Sequence, residues 1–202
     1  MIILDNNDLR TQAAAYELKK YTDLLKGIKY FISGGCIRDL FSIGYFSSDI
    51  DIYFPDRIQA GKAIRVLRKA NGRVSFSNKQ ITNIYLNRQK IQIIKHFFHP
   101  NEQAIINTFD FTVCCGVFNG ESFYFHDFFF QDLAAKRLVV NNIVMPLSTY
   151  KRIIKYVHRG FHICDGNLLI IAKAVSTINF NDPVQNYLEF YPDGKIKFKS
   201  ID

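Results

Sequence analysis

Tryptophan is absent from this sequence, and so are several signatures that would assign it to a common class. No stretch approaches the ~18 consecutive apolar residues of a membrane span. The opening MIILDNNDLR has no basic segment followed by a long apolar one, so no secretory signal is evident. The four cysteines, Cys36, Cys114, Cys115 and Cys164, form no C-x-x-C pair and lie in apolar or helical contexts. They read as buried free thiols in a reducing compartment. The five histidines make no zinc set: His158 and His162 are four apart, but Gly160 lies between them and no Glu accompanies them. Neither G-x-G-x-x-G nor G-x-x-x-x-G-K-[ST] occurs, which argues against dinucleotide-binding and P-loop folds.

What is present points to one domain of moderate size. The hydrophobic share is 48%, enough for a substantial core and against disorder. The 19 Phe and 11 Tyr suit a strand-rich mixed fold. The formal charge of +8 favours a polyanionic partner, such as nucleic acid or a triphosphate.

Periodicity predicts a helix over 8–26 and a buried strand over 28–33. A glycine turn then runs into a short helix, and a second strand covers SSDIDIYF. An amphipathic helix follows in DRIQAGKAIRVLRKAN, then strands in ITNIYL and KIQIIKHFF, and a helix after Pro100. DFTVCCGVFNGESFYFHD reads as a hairpin turning at Asn119-Gly120. Helices are expected in FQDLAAKRLVV, LSTYKRIIKYVHRGF and NLLIIAKAVSTI. A last hairpin turns at Asp193-Gly194. The order is that of an α/β or α+β mixture around one sheet.

Two features carry chemistry. Asp49 and Asp51 alternate on a strand, so both carboxylates share one face, with Cα atoms about 6.6 Å apart. Ile50, Ile52 and Phe54 take the other face. Paired carboxylates repel unless a cation bridges them, and hard divalent ions with oxygen ligands suit the pair. The reaction that uses such ions is in-line phosphoryl or nucleotidyl transfer. For D-x-D alone, a solvated strand face is the alternative. Gly34-Gly35, between a strand and a helix start, lets a phosphate approach bare N–H groups at the positive helix end; a tight turn is the alternative there. Arg38 offers a charge-assisted phosphate contact, and Asp39 would position a ligand or Arg38 itself.

Together, GGCIRDLFSIGYFSSDIDI resembles the signature of polymerase-β-like nucleotidyltransferases, and more narrowly the head domain of poly(A) polymerases and CCA-adding tRNA nucleotidyltransferases. Gly34, Gly35, Arg38, Asp39, Gly44, Asp49 and Asp51 match its pattern in order. DFTVCCGVFNGESFYFHDFFFQDLAAKRLVV is similar to the family's second block, with Asp110 at the aspartate implicated in nucleotide binding. LSTYKRIIKYVHRGFHI resembles the start of its neck, with Arg152 at the matching arginine. The resemblance spans roughly residues 28 to 165.

The resemblance implies a nucleotidyltransferase fold: a mixed sheet flanked by helices, with a short helical neck and a C-terminal hairpin. It divides the chain into a head over 1–145 and a truncated neck and tail over 146–202. It implies Mg²⁺, or Mn²⁺, held by Asp49 and Asp51. An NTP would be bound through Gly34, Gly35, Arg38, Asp39, Asp110 and Arg152. NMP would pass to a hydroxyl, foremost an RNA or tRNA 3′ end. Three departures stand out. The later strand that carries a third carboxylate in many members has Gln92 at that position. The two arginines before D-F-T are Thr108 and Phe109. The E-D-x-x-R neck motif has no counterpart. Such a minimal form fits a virus or mobile element acting in the host cytoplasm. The alternative is a catalytically weak module of the same fold that binds nucleotide or a partner, or modifies a protein. The basic residues Lys151, Arg152, Lys155, His158 and Arg159 form a helix face for RNA phosphates or a triphosphate, or one that is merely solvated.

Overall fold

A computed structural model describes residues 1–178, 188–190 and 196–198. The elements run β1 (Ile2–Asp5), α1 (Gln12–Thr22), β2 (Phe31–Ser33), α2 (Gly35–Ile43), β3 (Ile50–Phe54), α3 (Arg57–Lys69), β4 (Arg73–Ser77), β5 (Ile81–Leu86) and β6 (Gln89–Phe98). They continue with α4 (Glu102–Ile106), β7 (Gly116–Phe118), β8 (Ser122–Phe125), α5 (Phe129–Ala134), β9 (Arg137–Leu138), α6 (Pro146–Val157), β10 (His162–Ile163), α7 (Asp165–Ser176), β11 (Leu188–Phe190) and β12 (Ile196–Phe198).

Eight strands form one mixed sheet in the order β1-β8-β7-β2-β3-β6-β5-β4. β3 and β6 pair in parallel, and the remaining neighbours are antiparallel. The helix between two parallel strands is the usual solution for such a crossover, and α3 lies in the β3-to-β6 connection. Asp56 caps α3 by accepting the backbone N–H of Gln59. The helix then buries Ala60, Ala63 and Leu67.

Alternation along β3 decides which face is which. Ile50, Ile52 and Phe54 are fully buried in the main core, with Leu18 and Tyr21 of α1, Ile37 of α2, Leu67 of α3 and Ile91 and Ile93 of β6. The opposite face carries a smaller cluster of Phe31, Ile105, Ile106, Cys115 and Val117, against which Tyr53 and Phe109 pack. This second face is the one that carries Asp51.

The two edge strands β1 and β4 were not anticipated. β4 is exposed at every residue even though its sequence, RVSFS, alternates polar and apolar: on this edge strand Val74 and Phe76 are left uncovered. DFTVC is not hairpin but a short 3₁₀ turn over Thr112–Cys114, and the hairpin proper is β7–β8. The long first helix is shorter at both ends, with a 3₁₀ turn over Asp23–Leu25. Cys164 is exposed, which corrects the expectation that all four thiols are buried; the other three are. The expected turn at Asp193-Gly194 lies outside the described residues, while β11 and β12 pair antiparallel on either side of it. α6 sends Ile153 and Tyr156 into the main core, and β10 pairs in parallel with β9 in a separate two-stranded sheet. Among the described residues, no helix is long and apolar enough to cross a membrane.

The D-F-T block is held by a buried acid. The Asp132 carboxylate accepts from Thr112 Oγ1 at 2.6 Å and forms an ion pair with Arg137 at 2.7 Å. Its side chain is 2% exposed, so its removal leaves Thr112 without its partner in the core. Asp132→Ala is expected to lower stability by about 2–4 kcal/mol, read from chemical denaturation by circular dichroism. A variant as stable as the parent contradicts that role.

Candidate active site

β2 ends at Ser33, and the chain turns through Gly34 into α2. Gly34 has φ +87° and ψ −139°, a conformation reserved for glycine. A Cβ there would lie 3.3 Å from the Phe109 ring and 3.5 Å from Asp51 Oδ2. A Cβ at Gly35 would lie 2.9 Å from Ser48 Oγ. The glycine pair therefore brings the start of α2 against the D-x-D segment with no side chain between them. Gly44 ends α2 in the left-handed conformation at φ +81°.

Register builds the rest of the face. Ser33 lies opposite Asp51, Asp51 opposite Gln92, and Gln92 opposite Asn83. A polar row thus crosses four strands of an otherwise apolar sheet. Ser33 Oγ donates to the carbonyl of Gly116 at 2.7 Å. Gln92 Nε2 donates to Asn83 Oδ1 at 3.0 Å. One row nearer the strand starts, Lys90 Nζ meets Asp49 Oδ2 at 2.6 Å. Burial, and then the charge of Asp49, push the Asp51 carboxyl up to about 7. Lys90, Lys155 and Arg152 pull it partly back. The Asp49 hydrogen bond raises the Lys90 ammonium above its ordinary value.

A second layer holds this face in place. Asp39 accepts from Arg38 Nε at 3.0 Å, from Ser47 N–H and Oγ at 3.2 and 2.6 Å, and from Ser48 Oγ at 2.7 Å. Burial pushes the Asp39 carboxyl up, but Arg38, Ser47 and Ser48 together hold it below the ordinary value. Arg38 also donates to the Tyr156 hydroxyl at 2.7 Å. With 3% exposure and these partners, the Arg38 guanidinium is directed into the protein. That placement differs from the phosphate contact expected of it. Asp110, 5% exposed, receives Arg152 at 2.7 Å and the N–H of Phe111 at 3.1 Å. Arg152 itself is nearly half exposed.

Gly34, Gly35, Asp49, Asp51 and Gln92 are thus brought together, with Asp110–Arg152 a separate pair. Sequence reasoning missed Lys90, Tyr156 and the Ser47–Ser48 pair. Lys90 was legible: it is two residues before Gln92, hence on the same strand face. Tyr156 carried no signal beyond a helical apolar position.

The donor set fits a divalent cation. Mg²⁺ is commonly held by one or two carboxylates, with waters and substrate phosphates completing its shell. Asp49 and Asp51 supply that much. Among the described residues no group of three or more His, Cys, Asp or Glu side chains forms a closed site.

The sheet order and the glycine turn beside a strand with paired carboxylates define a nucleotidyltransferase fold. Solved CCA-adding enzymes share it. One, in complex with ATP, superposes with a TM-score of 0.63 over 87% of this chain and 47% of its own, at 17% identity. The Thermotoga maritima CCA-adding enzyme with tRNA gives a TM-score of 0.58 over 87% and 46%, again at 17% identity. Within this fold, the chain belongs to the Gabija anti-defense 2 (Gad2) family, whose model matches residues 4–136. A protein described as Gabija anti-defense 2, from Bacillus phage SPbetaL7, is 29% identical over 170 residues, covering 83% of this chain and 42% of that protein. The chain therefore spans less than half the length of these relatives.

Two outcomes follow from the electrostatics. Arg38→Ala leaves Asp39 buried without its cation and is expected to cost about 3 kcal/mol, read from denaturant midpoints. Stability unchanged, with weaker NTP binding alone, contradicts the supporting role. For Asp51, a folded-state value above the ordinary one means a proton held more tightly in the folded protein. That contribution is complete below the unfolded value near 4 and is lost as pH rises through about 7. Without divalent cations, Asp51→Asn should therefore gain on the parent between pH 5.5 and 8, by about 1–2 kcal/mol, or roughly 2–6 °C in Tm. Parallel melting curves at all pH values contradict this.

Proposed function

We propose that the chain is a divalent-cation-dependent nucleotidyltransferase that binds an NTP and transfers NMP to a hydroxyl acceptor. The observation that carries the reading is the Asp49–Asp51 face, set against the Gly34–Gly35 turn at the N-terminus of α2. A divalent cation, Mg²⁺ or Mn²⁺, would be held by the two carboxylates and would supply charge neutralisation and polarisation at the phosphates. Gly34 and Gly35 keep the positive end of α2 clear of side chains, where backbone N–H groups would meet the triphosphate. Arg152, with Asp110 fixing its position, and Lys155 offer cations on the side of α6 nearest Asp51. In our reading Arg38 and Asp39 hold the site together and do not touch the nucleotide. The acceptor hydroxyl gives up its proton to solvent as its oxygen bonds to the α-phosphorus, the bond from that phosphorus to the α–β bridging oxygen breaks, and pyrophosphate leaves with the electron pair.

The acceptor we favour is an RNA 3′ end, tRNA foremost. The basic charge of the chain supports it, and structural relatives were solved with tRNA, CTP and ATP. Residues 146–202 would act as a shortened neck to a head over 1–145. The family description extends the proposal to biology: transfer of a nucleotide in the host cytoplasm would counter the Gabija defence. A second reading, a catalytically weak nucleotide-binding module, is favoured by one observation: the third-carboxylate position is Gln92, bonded to Asn83.

The test is incubation with each α-labelled NTP, Mg²⁺ or Mn²⁺, and either total RNA or host protein, reading label transfer. Transfer is expected from the parent. Loss of at least a hundredfold is expected in Asp49→Asn and in Asp51→Asn, with a melting temperature no lower than the parent's. Full activity in either folded variant overturns the site. Binding of NTP without transfer to any acceptor favours the second reading.

A further inference from the structure

Lys90 occupies a place that the proposed chemistry makes unusual. Parallel pairing sets Ile50 against Ile91 and Asp51 against Gln92. By alternation, residues 90 and 92 share the face of Asp49 and Asp51. Lys90 Nζ rests 2.6 Å from Asp49 Oδ2. The strand start that carries it is pinned, because Gln89 Nε2 donates to the carbonyls of Ser48 at 3.0 Å and Lys90 at 3.2 Å. The ammonium is therefore delivered to Asp49 by an anchored backbone.

The charge count on this face then differs from that of a three-carboxylate site. Three carboxylates carry three negative charges and accommodate two divalent ions, a net of one positive. Here two carboxylates and one ammonium carry a net of one negative, and the third position, Gln92, is a neutral amide already bonded to Asn83. One divalent ion brings the face to the same net of one positive. Two would bring it to three, beside the positive charge of Arg152 and Lys155 that already acts on Asp51.

We propose that Lys90 is a built-in substitute for the charge of a second divalent ion, so that the site loads one divalent cation per chain, with or without nucleotide. Lys90 acts through Asp49, as a positioning residue. The proposal rests on the nucleotidyltransferase reading of the carboxylates but is tested independently of turnover.

The experiment is a direct Mn²⁺ titration followed by electron paramagnetic resonance, with a non-hydrolysable NTP analogue present and absent. The proteins are the parent, Lys90→Gln, Lys90→Arg and Lys90→Gln/Gln92→Glu, each first shown to melt cooperatively. The expected stoichiometry is one Mn²⁺ per chain for the parent and for Lys90→Arg. Lys90→Gln should bind that ion about fivefold more tightly, since a competing partly exposed ion pair is worth up to about 1 kcal/mol. The double variant should take two ions with the analogue. Two ions on the parent, or equal affinity in parent and Lys90→Gln, overturns the role of Lys90 and leaves the carboxylate site standing. Absence of Mn²⁺ binding from every protein overturns both.

Discussion

Two carboxylates on one face of β3 repel each other, and the surrounding structure is arranged around that repulsion. The face is not open water. Tyr53 and Phe109 pack beside it, Gly34 closes on Asp51, and burial lifts the Asp51 carboxyl to about 7. Positive charge gathers accordingly: Lys90 on Asp49, with Arg152 and Lys155 acting on Asp51 from α6. A face that is unfavourable when bare is one that a divalent cation would relieve, which is the basis of the proposed function.

Keeping that face in register requires support that never touches it. Asp39, buried with Arg38, also accepts from Ser47 and Ser48 nearer the surface, fixing the loop that delivers Asp49. Arg38 then reaches Tyr156, whose hydroxyl also lies 2.7 Å from Cys114 Sγ. One chain of polar contacts thus links α2, the D-F-T segment and α6. The helix that follows the sheet unit is part of what holds the site, since its removal would leave Arg38 without the Tyr156 hydroxyl and Asp110 without Arg152. Buried networks of this kind are stable only when complete.

Much of this was legible in the sequence, for physical reasons. The alternation in SSDIDIYF assigned both faces of β3 before any coordinates, because a strand has a period of two. Gly34-Gly35 marked a backbone that needs a conformation only glycine adopts easily, and φ +87° at Gly34 is that conformation. The resemblance pointed to Gln92 as the third position of the site, and the parallel register sets it opposite Asp51. Less legible were interactions set by tertiary geometry. Arg38 next to Asp39 reads equally well as a ligand contact or an internal pair, and only burial distinguishes them. β4 carries the period of two in RVSFS, but the run is short and follows directly on a helix, and none of its residues is buried. Lys90 escaped because a lysine in a strand is ordinarily a solvated residue.

The fold is shared with CCA-adding enzymes at 16–17% identity, whereas the family model points to counter-defence. The most direct measurement is a crystal structure with Mn²⁺ and a non-hydrolysable NTP analogue, recorded at the manganese absorption edge. The expected result is an anomalous peak bound by Asp49 and Asp51, with the triphosphate along the Gly34–Gly35 turn. A nucleotide bound elsewhere, or a triphosphate at the turn with no metal on the two carboxylates, would contradict the central claim.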